Sequence, residues 1–295
     1  MLCDQKSEIQ TCRWLAEQPQ KSMRSQIESG AELLARLNSK PSPVHLLEDG
    51  LFVESPRGTD VVEIGGKPAT GKTLLLSRML AKCILPKRDC TIPIDGCTAS
   101  VVLINTDHHF QVSKLIEIMT VLVNTGNFAT HTDSNVTELV RNSLRNLRVI
   151  DCYDSEQLNL TLRTLDDVFL LNTEIALLAI DSITAYYWQD REGGAVETVD
   201  SYVKKLLKLV KAQTTRFNVT TVYTRSHDRV GDTLKRRKFS RDLLQDEADY
   251  KIHLSRVHDT SKKHLCTLET SQAGKTIHYS IEASGIVWET DQGDS

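Results

Sequence analysis

The sequence predicts an α/β protein: a doubly wound, mostly parallel sheet with antiparallel strands at its C-terminal end. Three observations carry this. Short β-branched runs alternate with helical stretches from Asp60 to Thr224. A complete phosphate-loop pattern joins the first of those strands to the first of those helices. Beyond Ala248 the helices stop, and three alternating runs follow as hairpin-linked antiparallel strands.

The elements can be justified in order. "DVVEIG" (Asp60 to Gly65) is a buried strand, and "KTLLLSRMLAKCIL" (Lys72 to Leu85) is a buried helix. Pro, Gly and polar residues make Pro86 to Ser100 a loop, after which "VVLINTD" (Val101 to Asp107) is the second strand. A helix over Phe110 to Val123 leads to a polar loop, Asn124 to Glu138, and a short helix. "NLRVID" (Asn146 to Asp151) is the third strand, one long amphipathic helix covers Ser155 to Leu171, and "IALLAID" (Ile175 to Asp181) is the fourth strand. From Glu197 to Gln213, Val199, Val203, Leu206, Leu207 and Val210 form a helical stripe, with Lys204, Lys205, Lys208 and Lys211 on the solvated side. "NVTTVYT" (Asn218 to Thr224) is the fifth strand. The last runs are "DYKIHLSRV", "HLCTLET" and "IHYSIEASGIVW".

Composition sets bounds. A chain of 295 residues, 40% hydrophobic and 25% charged, can bury a sizeable core and fits one large globular domain with extensions. No stretch approaches the ~20 apolar residues of a membrane span, and "MLCDQKSEIQTCRWL" has no targeting pattern, so the expected compartment is the nucleus or cytosol. Seven cysteines (3, 12, 83, 90, 97, 152 and 266) without a CxxC pair fit neither a zinc site nor a disulfide framework.

The phosphate loop supplies the first chemistry. Gly66, Lys67, Pro68, Ala69, Thr70, Gly71, Lys72 and Thr73 complete the pattern in its required strand-loop-helix setting. Such a turn aims unpaired N–H groups and the positive end of a helix dipole at phosphates. Lys72 is expected to reach the β- and γ-phosphates, and Thr73 to offer its hydroxyl to Mg²⁺. Asp181, an acid closing an apolar strand, fits the carboxylate that holds the metal's water shell. The cofactors implied are ATP and Mg²⁺.

Charge supplies the second. Between Arg225 and Arg241, seven Lys or Arg (Arg225, Arg229, Lys235, Arg236, Arg237, Lys238 and Arg241) face two Asp, in a chain of net charge −3. A local cluster like this can bind nucleic-acid phosphates on an otherwise acidic body, while "KRRK" (Lys235 to Lys238) also suits nuclear import or a solvated loop tip. The triplet Asp107-His108-His109 has metal-ligand types but no companion acid clusters at other strand ends, so the histidines are expected to line a nucleotide or protomer face.

"ESGAELLARL" (Glu28 to Leu37), the phosphate loop, "CILPK" (Cys83 to Lys87), "INTDHHF" (Ile104 to Phe110), "LLAIDSITAYYWQDR" (Leu177 to Arg191) and the β-rich end together resemble the RecA-like recombination ATPases, in particular the paralogues of the strand-exchange recombinase. The likeness runs from Glu28 to Trp288. It implies a mediator role in homologous recombination and double-strand break repair, with sister paralogues and single-stranded or branched DNA as partners. It also assigns the catalytic positions. Asp107 stands where an active recombinase has its water-polarising glutamate, and Ser226 where it has its γ-phosphate-sensing glutamine. The aspartate is one methylene shorter, and "ETSQAGKT" (Glu269 to Thr276) lacks the acid and prolines of the usual ATP cap. Binding is therefore better supported than turnover. The rival readings are a scaffold with a vestigial nucleotide site and a stand-alone P-loop phosphotransferase.

Residues 1–27 are expected to form an N-terminal extension, 28–290 the core and 291–295 a tail. The extension is too short for the small helical domain that full recombinases of this family carry. Ser29 and Glu32 form a capping box that starts a helix with Leu33, Leu34 and Leu37 as its stripe, which packs on its own core or on a partner. Trp14, Leu15, Met23 and Ile27 in a polar segment suit ordering on a partner through Met1 to Lys40.

Overall fold

The computed structural model describes residues 29–38, 48, 50–52, 56, 58–89, 92–125, 133–193, 197–226, 248–257, 263–271 and 274–289. The chain divides into two units, Met1–Arg36 and Leu37–Ser295, and each is taken by itself. Helix α1 (Gly30–Asn38), which begins in the first, opens on the expected capping box. The Glu32 carboxylate accepts from the Ser29 N–H and hydroxyl, both at 2.8 Å, and the Glu32 N–H donates to Ser29 Oγ at 3.2 Å. Those bonds favour the charged form and lower the Glu32 pKa.

The second unit is built on a nine-stranded sheet with the order β11-β10-β9-β8-β1-β7-β6-β4-β5. Its strands are β1 (Val61–Gly66), β4 (Ser100–Asn105), β5 (Leu147–Asp151), β6 (Ile175–Asp181), β7 (Thr220–Ser226), β8 (Tyr250–Arg256), β9 (Lys263–Thr270), β10 (Gly274–Glu282) and β11 (Gly285–Trp288). Strands β8 to β5 are parallel, and β8 through β11 are antiparallel neighbours. A separate ribbon, β2 (Arg88–Asp89) and β3 (Ile92–Pro93), lies within what reads from sequence as loop.

Period-two alternation sends the central strands' side chains to two cores. Val62, Ile64, Val101, Leu103, Leu177 and Ala179 face α2 (Lys72–Ile84) and α3 (Val112–Thr125), through Leu75, Leu76, Met79, Leu115 and Met119. Val61, Val102, Ile104, Leu178, Ile180 and Tyr223 face the other way, onto α5 (Ser155–Arg163), α6 (Leu165–Leu171) and α8 (Val199–Phe217). Helix α4 (Asp133–Ser143) joins the first layer, and α7 (Tyr187–Glu192) precedes α8. The chain winds outward from β1 to β5 with helices on one face and returns to β7 with helices on the other, which is the doubly wound plan.

Several expectations need correction. The single helix over Ser155 to Leu171 is two, broken at Thr164, whose φ of −104° and ψ of 10° leave the helical region. Its N–H and hydroxyl both turn back on the Leu160 and Thr161 carbonyls, while Asp166 and Asp167 start the next helix. Helix α4 begins at Asp133, inside the expected loop. The last three runs make four strands, because Gly285 at φ 117° turns the third into the β10–β11 hairpin. The first of them, β8, is parallel to β1 as well as antiparallel to β9, so it joins the two halves of the sheet. Among the described residues no helix is long and apolar enough to cross a membrane. Among the described residues Cys83, Cys97, Cys152 and Cys266 are buried and form no disulfide.

Candidate functional site

The phosphate loop stands at the C-terminal end of β1, between β7 and β8, where open α/β sheets place ligands. Gly66 is glycine because of its neighbours: a Cβ there would meet the Leu254 carbonyl at 2.5 Å and Thr70 Oγ1 at 2.7 Å. Gly71 takes φ 88°, a left-handed conformation that turns the chain into α2. Ala69 is also left-handed, at φ 58°. Among the described residues no side chain caps the N-terminus of α2 and no acid occupies its first turn, so its N–H groups and positive dipole end could receive an anion unopposed. Thr70 Oγ1 donates inside the loop to the Lys67 carbonyl at 2.9 Å. Lys72 Nζ folds back onto the Gly66 and Lys67 carbonyls at 3.1 and 3.0 Å.

Asp181 ends β6 beside this loop and is 2% exposed. Thr224 Oγ1 donates to its Oδ1, whereas its buried Oδ2 has no hydrogen-bond partner among the described residues. Burial pushes its pKa up; the Thr224 and Thr73 hydroxyls oppose this, the Asp107 charge adds to the rise, and Lys72 lowers it. An orphaned carboxylate oxygen, close to a threonine hydroxyl and an ammonium, fits a Mg²⁺ site with Thr73 and Asp181 as its holders.

Asp107 is exposed at the mouth, and its backbone N–H donates to the Asp181 carbonyl at 3.0 Å. Thr106 N–H donates to the same oxygen at 2.8 Å, and Thr106 Oγ1 to the Ser182 carbonyl at 2.7 Å, so the end of β4 is fixed to the end of β6. Ser226 closes β7 in register with Gly66. Asp107, Ser226, the loop and Asp181 therefore lie at one end of the sheet. His108 stacks on Tyr153 with ring centroids 4.7 Å apart and lies 3.9 Å from Asp151, while His109 is exposed. No group of three or more metal-ligand residues assembles among the described residues.

The basic segment divides. Arg225, in β7, turns its guanidinium to Asp200 of α8, and its side chain is 17% exposed. Arg229, Lys235, Arg236, Arg237, Lys238 and Arg241 lie outside the described residues, as do Met1 to Glu28.

Some partners have no sequence signal. Tyr279 Oη donates to the Thr70 carbonyl at 2.7 Å, and Arg256 Nη2 to the Ala69 carbonyl at 3.3 Å, both from the antiparallel strands. Tyr186 Oη donates to the Thr106 carbonyl at 3.2 Å and to the Cys152 carbonyl, supporting the strand end that carries Asp107. Tyr186 does lie within the Leu177 to Arg191 stretch that carries the family resemblance, whereas Tyr279 and Arg256 come from runs that read simply as strands.

The family model described as Rad51 matches residues 45–234, which spans the loop, Asp107, Asp181 and Ser226. The chain belongs to the Rad51 family. It is similar to the mouse (Mus musculus) DNA repair protein XRCC2, with 28% identity over 260 residues, covering 86% of this chain and 88% of that protein. It is also similar to an Arabidopsis thaliana DNA repair protein XRCC2 homolog, with 26% identity over 196 residues, 56% of this chain and 52% of that one. The mixed sheet is thus the RecA-like core of a Rad51-family protein.

Proposed function

We propose that this Rad51-family chain is an ATP- and Mg²⁺-binding paralogue that acts as a mediator in homologous recombination and double-strand break repair, within a hetero-oligomer of sister paralogues on single-stranded or branched DNA. The DNA-repair assignment is supported by the two XRCC2 relatives. One observation carries the nucleotide part: the orphaned Asp181 oxygen lies beside Thr73 and Lys72 at an uncapped helix N-terminus. Gly66 to Thr73 would hold the phosphates, with Lys72 as counter-charge, and Thr73 and Asp181 would hold Mg²⁺. The ion would neutralise phosphate charge when bound.

This chain's own residues favour holding the nucleotide over hydrolysing it. The Asp107 carboxylate starts about one methylene, ~1.5 Å, short of a glutamate, and errors of about 1 Å in positioning cost ~100-fold in rate. Ser226 offers a short hydroxyl where a long amide would reach for the γ-phosphate. ATP then acts as a binding switch for partners, residues 1–27 serve as a partner-contacting extension of the 28–290 core, and the protein works in the nucleus. The test is pull-down of the purified full chain by candidate RecA-like paralogues, with and without ATP and Mg²⁺, beside Lys72→Ala. An ATP-strengthened one-to-one complex that Lys72→Ala weakens supports the reading. Equal capture in all arms leaves a scaffold with a vestigial site, and long homopolymers on DNA overturn the hetero-assembly.

A further inference from the structure

We infer that Tyr279 and Arg256 are positioning residues for the phosphate loop: from the antiparallel strands they hold the Thr70 and Ala69 carbonyls, which fixes the direction of the two N–H groups that follow. The inference rests on the nucleotide-binding reading and deepens it.

The argument starts from the peptide plane. In a trans peptide the C=O and the N–H point opposite ways, so anchoring the Ala69 carbonyl orients the Thr70 N–H, and anchoring the Thr70 carbonyl orients the Gly71 N–H. Arg256 Nη2 reaches the first at 3.3 Å and Tyr279 Oη the second at 2.7 Å. Both donors come from one side, the β8–β10 sheet, so both N–H groups are turned away from it. A loop that binds polyphosphate needs its N–H groups convergent and its carbonyls averted. The conformation also needs holding, because Ala69 at φ 58° sits in a region that non-glycine residues enter at a cost. Rotation of either peptide would put a carbonyl toward the phosphates.

Tyr279 is built for the purpose. It is fully buried, its ring lies between His264 at 5.0 Å and Trp288 at 5.8 Å, and its hydroxyl has little freedom to leave Thr70. Burial raises its pKa, so the hydroxyl remains a donor at any physiological pH. Ile281 and Ile286, from the β10–β11 hairpin, would meet a Cβ on Gly71 at 3.2 and 3.6 Å, so that hairpin also packs against the end of the loop. Arg256 is exposed and can be changed without opening the core.

The experiment titrates the full-length chain with Mg²⁺ and a fluorescent ATP analogue, for the parent, Tyr279→Phe, Arg256→Met and Arg256→Lys, with nucleotide-free melting curves for each. Tyr279→Phe is expected to raise Kd about fivefold, the worth of one hydrogen bond. Arg256→Met should raise it severalfold, and Arg256→Lys, a donor about one bond shorter on a flexible, exposed stem, should recover part of the loss. Tyr279→Phe and Arg256→Met with Kd values within twofold of the parent would overturn the inference, whatever their melting temperatures. Arg256→Lys as weak as Arg256→Met would overturn the Arg256 part, since a donor returned to that carbonyl would then do nothing. A parent that binds no analogue removes the nucleotide reading itself, and this inference with it.

Discussion

Thr224 donates its hydroxyl hydrogen to Asp181 Oδ1, while the other oxygen of that buried carboxylate has no hydrogen-bond partner among the described residues. One oxygen is therefore fixed by β7 and the other is left for a ligand. With burial as the largest cause, the folded-state pKa of Asp181 lies above its ordinary value. The folded protein then binds this proton more tightly than the unfolded chain does. Its contribution to stability is fully present below the ordinary carboxyl range and is lost as pH rises through the folded value. Asp181→Asn should remove that slope, make the nucleotide-free protein more stable than the parent at pH 7, and abolish stabilisation by Mg²⁺ and ATP. Melting curves from pH 4 to 8, with and without both ligands, check this. Parallel curves for parent and variant would refute it.

Turnover is the next expectation. Asp107 is exposed, and its backbone is held to Asp181 by the 3.0 Å bond, so lengthening its side chain disturbs no packing. Asp107→Glu should raise a slow ATPase rate roughly tenfold or more, if reach is what limits it. Adding Ser226→Gln should raise it further. Steady-state phosphate release measures both. A parent rate of about 1 per second or faster that Asp107→Ala abolishes would show instead that the aspartate already suffices.

What could be read in advance divides along a physical line. The parallel strands, the phosphate loop and Asp181 were legible because each is encoded locally, by β-branched runs, glycine spacing and an acid after an apolar strand. The break at Thr164 was not, since apolar periodicity continues through Leu165 and Phe169 and the side-chain competition for carbonyls has no pattern. Nor were Tyr279 and Arg256, which reach the loop only once β8 pairs with β1 in parallel, a register set some 190 residues away in sequence. Lys204, Lys205 and Lys208 did prove exposed, as the helical stripe required.

Arg225 and the basic residues after it should behave differently. Arg225 is ion-paired with Asp200 and mostly covered, so Arg225→Ala should cost stability, about 1 kcal/mol given that Asp200 itself is 83% exposed, and leave the salt dependence of DNA binding unchanged. Alanine at Lys235, Arg236, Arg237 and Lys238 should leave melting unchanged while lowering affinity for single-stranded DNA and flattening its salt slope. Titrations at several salt concentrations, in complex with a sister paralogue, separate the two. An unchanged slope in the fourfold variant would leave that stretch to nuclear import.

The last expectation concerns Glu48, whose role no motif announced. Its carboxylate, 2% exposed, accepts from Arg78 Nε of α2 and from Trp288 Nε1 of β11 at 3.0 Å, and Arg78 Nη1 reaches the Ile286 carbonyl at 3.4 Å. One acid thus ties the segment before β1 to the phosphate-loop helix and to the last strand. Glu48→Ala would leave the Arg78 charge and the Trp288 N–H without it, and breaking a buried pair from one side costs about 3 kcal/mol. Glu48→Gln keeps an acceptor for Trp288 and should cost less, about 1 to 2 kcal/mol. Arg78→Met removes the partner charge; combined with Glu48→Gln it should cost less than the sum of the two, because the pair is lost only once. Urea unfolding of the three single variants and the double variant measures the coupling. Additive losses, or a Glu48→Ala change below about 1 kcal/mol, would show that these bonds do not hold the last strand to the loop helix.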